Sequence, residues 1–217
     1  MDEWDTPRPT LRLPRATPPA RVNGYQSGRG CHAPGLSAAT TRHGTALTEA
    51  ALAGGERVWL RPAGADDLTA ALALHQRCSP GTLARRYPGG AGEADGYLRH
   101  LLGGRHGRSV AAQLASGELV GLGHVLWDED ESEVALLVAD AWQRRGIGGA
   151  LLRTLLALAW ARRCASVYAV TEASNAAMLE TMRATGLPLT HHADAGSLVV
   201  SARLADAVGP AEPEPRP

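Results

Sequence analysis

Apolar positions recur along the middle of the chain with two different periods. Short extended blocks at 57–61, 108–115 and 119–127 are bounded by turn formers and predict strands, and the link Ser116-Gly117-Glu118 joins the last two as an antiparallel hairpin. Further strands are expected at 133–138, after the acidic run Asp128-Glu129-Asp130-Glu131, and at 166–171 and 198–204. A helical period predicts one helix from Asp66 or Asp67 to Cys78, which Pro80 is expected to stop, and another over 93–102 closed by Gly103 and Gly104. Two more are expected over 146–163 and 175–185. The order is mixed, with an antiparallel first half, and predicts an α/β domain whose mostly antiparallel mixed sheet is flanked by helices.

Residues 1–55 keep neither period. Rich in Pro, Gly, Arg, Ser and Thr, they bury too little apolar area to offset chain entropy and are expected to form a disordered arm. Residues 206–217 are expected to be a disordered tail, which leaves one folded domain over 56–205. The balance of 22 basic and 22 acidic residues provides no overall field for nucleic acid or an anionic membrane, so neither is expected as a partner. Cys31, Cys78 and Cys164 are odd in number and widely spaced, with neither a disulfide framework nor metal-ligand spacing. His191 and His192, read as part of a loop, have no acid or cysteine at ligand spacing, and no metal is expected. No apolar stretch reads as a leader or a membrane span, and the expected location is the cytoplasm. Every basic residue is arginine, which base composition explains without a mechanism, although avoidance of self-modification by a lysine-modifying enzyme would leave the same mark.

The most informative segment lies between 138 and 151. A helix exposes unpaired N–H groups at its first turn, and here no Ser, Thr, Asp or Asn stands ready to cap them. Gly146, Gly148 and Gly149 instead allow close approach of a ligand, and Arg144 and Arg145 add positive charge. Such a start suits an anion such as a pyrophosphate. A Walker A loop needs a lysine, and the chain has none. A dinucleotide fingerprint needs a third glycine where Leu151 stands. Gln143-Arg144-Arg145-Gly146-Ile147-Gly148 satisfies every position of the acyl-CoA loop Q/R-x-x-G-x-G/A, with a plain glycine turn before a core helix as the alternative.

With the strand 133–138, the turn Ala139-Asp140-Ala141-Trp142 and the segment Thr171-Glu172-Ala173-Ser174-Asn175-Ala176-Ala177-Met178, this loop resembles the GNAT acetyltransferases over about 58–204. Cys78-Ser79-Pro80-Gly81-Thr82-Leu83-Ala84-Arg85-Arg86-Tyr87 is similar to the Ser-Pro segment of bacterial Pat-type protein lysine acetyltransferases. The resemblance implies a single GNAT domain using acetyl-CoA as cosubstrate by direct transfer in a ternary complex. It implies cofactor contacts at Leu136, Leu137, Val138, Gln143, Arg144, Arg145, Gly146, Ile147, Gly148, Gly149, Ala150, Asn175 and Met178. Backbone amides of 136–138 are expected to polarise the thioester carbonyl. Asn175 is equally a helix cap.

Transfer to an amine needs the neutral base, yet a lysine of pKa about 10.4 is roughly 99% or more protonated at neutral pH. Glu133 stands at the position of the Pat-type base and is the expected catalytic residue. An outward-facing strand position in an acidic turn is its other reading. The tyrosine that protonates the leaving thiolate in many relatives is replaced by Met182. Protein lysine is the expected acceptor, with a small amine such as a polyamine, amino acid or antibiotic as the alternative, and a non-catalytic acyl-CoA sensor as a third reading.

Overall fold

The blocks with strand patterning pair in chain order. In a computed structural model describing residues 38–42, 45–52, 55–87, 91–194 and 197–204, they are β1 (Ala38–Arg42), β2 (Thr45–Ala51), β3 (Arg57–Ala63), β4 (Gly107–Gln113), β5 (Leu119–Asp128), β6 (Glu131–Val138), β7 (Ser166–Glu172), β8 (Leu189–Asp194) and β9 (Ser197–Arg203). Among the described residues they form one sheet in the order β1-β2-β3-β4-β5-β6-β7-β9-β8. Every neighbouring pair is antiparallel except β6 and β7. The helices are α1 (Leu68–Gln76), α2 (Pro80–Arg86), α3 (Ala91–Leu102), α4 (Ile147–Ala161) and α5 (Ala176–Arg183).

Alternation along β5 and β6 divides the core in two. Val125 and Val134 face α4, whose Ile147, Ala150, Leu151, Leu152, Leu155 and Ala159 form its buried stripe. Leu122 and Leu137 face the opposite way, toward Ala71 and Leu74 of α1 and Leu98 and Leu102 of α3. Each fully buried leucine contributes about 1.5–3 kcal/mol. Two glycines of β5 let α4 lie close to the sheet. A Cβ at Gly121 would stand 3.0 Å from Ile147 and 3.1 Å from Leu151, and one at Gly123 would stand 3.1 Å from Leu155.

Four features differ from the sequence expectation. Part of the expected disordered arm is ordered strand: β2 pairs with β3 from Thr48↔Leu60 to Ala51↔Arg57, and Ala50 and Leu52 are buried. Its alternating face is mostly alanine, a weak signal until a neighbouring strand supplies the ladder. Residues 1–37 and the expected tail lie outside the described residues. Pro80 starts α2 instead of only stopping α1, because Ser79 caps it by accepting from Thr82 N at 3.3 Å and proline fits the first helical position. Asp67 accepts from Gly64 N at 2.9 Å and caps the short 3-10 turn before α1. His191 and His192 belong to strand β8, not a loop, and pair with Val200 and Val199 of β9.

Replacing Gly121 by valine should destabilise the domain by about 1–3 kcal/mol through overpacking against α4, measured by denaturant unfolding. An unchanged midpoint would mean that α4 is not held by this contact.

Candidate active site

The first turn of α4 has no capping side chain. Gly146 precedes it at φ 97, and no side chain accepts from its amides. Arg144, also left-handed at φ 62, bends the same loop. Arg144, Arg145, Gly146, Gly148, Gly149, Ala150 and Arg153 border a cavity of about 610 Å³, so free amides, the helix dipole and three guanidiniums surround one space. Arg145 pairs with Glu56 at 2.7 Å and lies 4.7 Å over the Trp142 ring, while Arg144 meets Glu180 at 3.4 Å. Exposed ion pairs of this kind are worth about 0.2–1 kcal/mol each and exchange readily for a bound diphosphate.

The sheet opens beside this loop. Pairing of β6 with β7 covers only Glu131↔Ser166, Ser132↔Val167 and Glu133↔Tyr168. Ala139 N donates to Val120 O, so the alternation of the antiparallel ladder turns the amides of Leu137 toward β5 and those of Leu136 and Val138 toward the opening. Leu136, Leu137 and Val138 line the cavity there, with Asn175, Met178 and Thr181 on the α5 side. This combination of two outward strand amides, an uncapped helix start and neighbouring arginines fits an elongated thioester ligand ending in a diphosphate.

Gln143 has an internal role as well. Its Nε2 donates to Val138 O at 3.0 Å and to Asp140 Oδ1 at 3.1 Å. Asp140 also accepts from Ser79 N at 2.9 Å and from Thr82 Oγ1 at 2.7 Å, and the Thr82 bond leads in holding its carboxyl below the ordinary range. One carboxylate thus ties the start of α2 to the cofactor loop. Asn175 is a cap and a cavity residue together: its Oδ1 accepts from Met178 N at 3.3 Å and its Nδ2 donates to Thr171 Oγ1 at 2.8 Å.

Glu133 points away from α4. It shares a sheet face with His124 and Leu137, next to α2, and burial pushes its carboxyl above the ordinary range, with Arg86 opposing and Asp128 adding to the rise. The acidic run beside it closes the β5–β6 hairpin: Asp128 accepts from Tyr168 Oη at 2.9 Å, and Glu131 accepts from Ser166 Oγ. Buried His124 is neutral, its pKa driven down by burial and then by Arg86 and His75. Ser109 Oγ donates to Leu101 O at 3.3 Å, so His124 Nδ1, 2.8 Å from that hydroxyl, carries the proton and Nε2 is left as a buried acceptor without a partner.

Of the sequence-derived residues, Leu136, Leu137, Val138, Gln143, Arg144, Arg145, Gly146, Gly148, Gly149, Ala150, Asn175 and Met178 border the cavity. Ile147 does not; at 1% exposure its side chain belongs to the core. Glu133 is not among the cavity residues; it feels the charge of Arg86, which is one of them. Met182 is fully buried, and no Tyr, Cys or His is among the cavity residues. Sequence reasoning missed Thr82, Arg85, Arg86 and Arg153. Arg153 was detectable at one helical turn from Gly149; the α2 residues were hidden by the missed helix.

Residues 83–186 match the family model described as Acetyltransferase (GNAT) family. The chain has the fold of a GNAT domain. Its fold is similar to the GNAT domain of S. lividans PAT, with a TM-score of 0.65 at 21% identity, covering 73% of this chain and 97% of that one. It is also similar to a phosphinothricin acetyltransferase from Sinorhizobium meliloti in complex with AcCoA, with TM-score 0.54, 20% identity and coverage of 71% and 94%. The ribosomal-protein-S18-alanine N-acetyltransferase from Escherichia coli aligns with TM-score 0.52, 18% identity and coverage of 67% and 92%. None of the curated proteins compared with the chain matches it. No helix among the described residues is long and apolar enough to cross a membrane, and none of their His, Cys, Asp and Glu side chains group as a metal site.

Gly146→Ala places a Cβ at φ 97 and should weaken acetyl-CoA binding about tenfold, at a stability cost of roughly 1 kcal/mol. Calorimetric titration with acetyl-CoA checks this; equal affinity would show that the loop's conformation does not matter for binding.

Proposed function

We propose that the domain transfers the acetyl group of acetyl-CoA directly to a primary amine in a ternary complex, with Glu133 as the base. The supporting observation is the position of Glu133 at the last residue pair of the β6–β7 ladder, where the sheet opens, with a carboxyl that burial raises toward neutral pH. In this reading Glu133 takes the ammonium proton, and the free amine attacks the thioester carbonyl. The outward amides of Leu136 and Val138 stabilise the oxyanion. The C–S bond then breaks and the thiolate leaves. With Met182 in the core and no Tyr, Cys or His among the described cavity residues, the nitrogen's second proton passes through water to the departing thiolate, of ordinary pKa about 8.5.

The Ser-Pro segment of α2 and the acidic hairpin next to Glu133 speak for protein lysine as the acceptor. The small-amine reading is favoured by a specific observation, the positively charged Arg86 that lines the cavity and acts on Glu133 through space.

Glu133→Gln should lower kcat by about 10²–10⁴-fold while leaving the acetyl-CoA affinity unchanged. Because the unprotonated carboxylate is the active form, kcat should fall as pH drops through the raised pKa of Glu133, and the Gln variant should lose that limb. Thiol release across a panel of lysine peptides and small amines provides both readouts. Undiminished turnover in the variant rules out Glu133 as the base, and tight binding with no transfer to any amine favours the sensor reading.

A further inference from the structure

Arg86 presents an unusual deficit. Its Nε and Nη2 are both shielded from solvent, and neither has a hydrogen-bond partner. These two nitrogens form one edge of the guanidinium, where two N–H groups point in parallel and match the two oxygens of a carboxylate. Leaving charged donors buried and unpaired costs more than an ordinary missing hydrogen bond. The group is nonetheless firmly placed: its guanidinium carbon lies 4.7 Å over the Tyr87 ring, and Tyr87 Oη is 2.9 Å from His75 Nε2. The neighbouring charged and titratable groups do not take the edge. Glu133 feels Arg86 only through space, and the Nε2 of neutral His124 is not hydrogen-bonded to it either. Arg86 also borders the cavity.

Resting on the transfer reading above, we infer that Arg86 binds a substrate carboxylate and that the acceptor is a small amine bearing one, with an amino acid as its simplest form. A zwitterion is complementary to this pair of residues, its ammonium meeting Glu133 and its carboxylate meeting the Arg86 edge. The same chemistry would accept a carboxylate on the acyl group, so donor and acceptor must be varied separately.

The test uses the full chain and the variants Arg86→Gln and Arg86→Lys, with thermal midpoints and circular dichroism as fold controls. N-acetylalanine and N-acetylalaninamide, which differ at the carboxylate, are titrated into the CoA-loaded protein. The carboxylate compound should bind about tenfold to a hundredfold more tightly, and Arg86→Gln should abolish the difference. Arg86→Lys should restore only part of it, since an ammonium lacks the two-point edge. In turnover, the ratio of KM for alaninamide to KM for alanine should collapse in the Gln variant. A preference for succinyl-CoA over acetyl-CoA that Arg86→Gln abolishes would uphold the carboxylate site and assign its source to the donor. Equal binding of the two N-acetyl compounds with no succinyl-CoA preference, or a preference that survives in a folded Gln variant, overturns the inference. Carboxylate binding through Arg86 without transfer to any amine would remove the transferase reading and the acceptor assignment with it, leaving only the carboxylate site.

Discussion

The site depends on a parallel ladder that stops after three residue pairs. Beyond Glu133↔Tyr168 the two strands no longer share hydrogen bonds, and the backbone of β6 has outward-facing groups to offer a ligand. A continued ladder would consume the amides of Leu136 and Val138 and fill the space that the cavity occupies. The break also falls at Glu133, which sits at the last pair. The glycines of β5 act with it: by admitting α4 close to the sheet at Gly121 and Gly123, they hold the uncapped start of that helix next to the same opening.

A second layer of organisation runs through Asp140. Its two oxygens join Ser79 and Thr82 of the α2 start to Gln143 of the cofactor loop, so the helix that carries Arg86 and the loop that approaches a diphosphate share one anchor. Gln143 also closes the Val138 carbonyl. The glutamine of the acyl-CoA loop therefore works on the protein's own backbone, while the cavity-facing charge comes from arginines. Those of the loop are paired with exposed acids, whereas the Arg86 edge has no partner. In terms of charge, the cavity arginines differ: Arg144 and Arg145 hold weak surface pairs, whereas two nitrogens of Arg86 are buried and unpaired within the field of a carboxyl that burial has raised.

The sequence by itself determined much of the domain. The loop from Gln143 to Gly148 and the amphipathic α4 were readable because glycines, arginines and a leucine stripe carry local physical meaning: backbone freedom, charge and period. The β4–β5 hairpin and the position of Glu133 ahead of the loop were readable for the same reason. Asn175 was readable as a cap because capping depends only on residues three positions apart. Tertiary structure decided what depends on neighbours distant in the chain. Alanine-rich β2 became a strand because β3 offered it a ladder, and His191 and His192 entered β8 because β9 did the same. Ile147, within the motif, turned into the core because the close approach of α4 to Gly121 left its side chain no other face. Burial alone separated Glu133 from its four acidic neighbours at 128–131, and no local pattern encodes burial. Arg86 read as one arginine among 22; only the packing of α2 against β6 and β7 made two of its donors solvent-free and partnerless, because desolvation is a property of the assembled fold and not of a residue's place in the sequence.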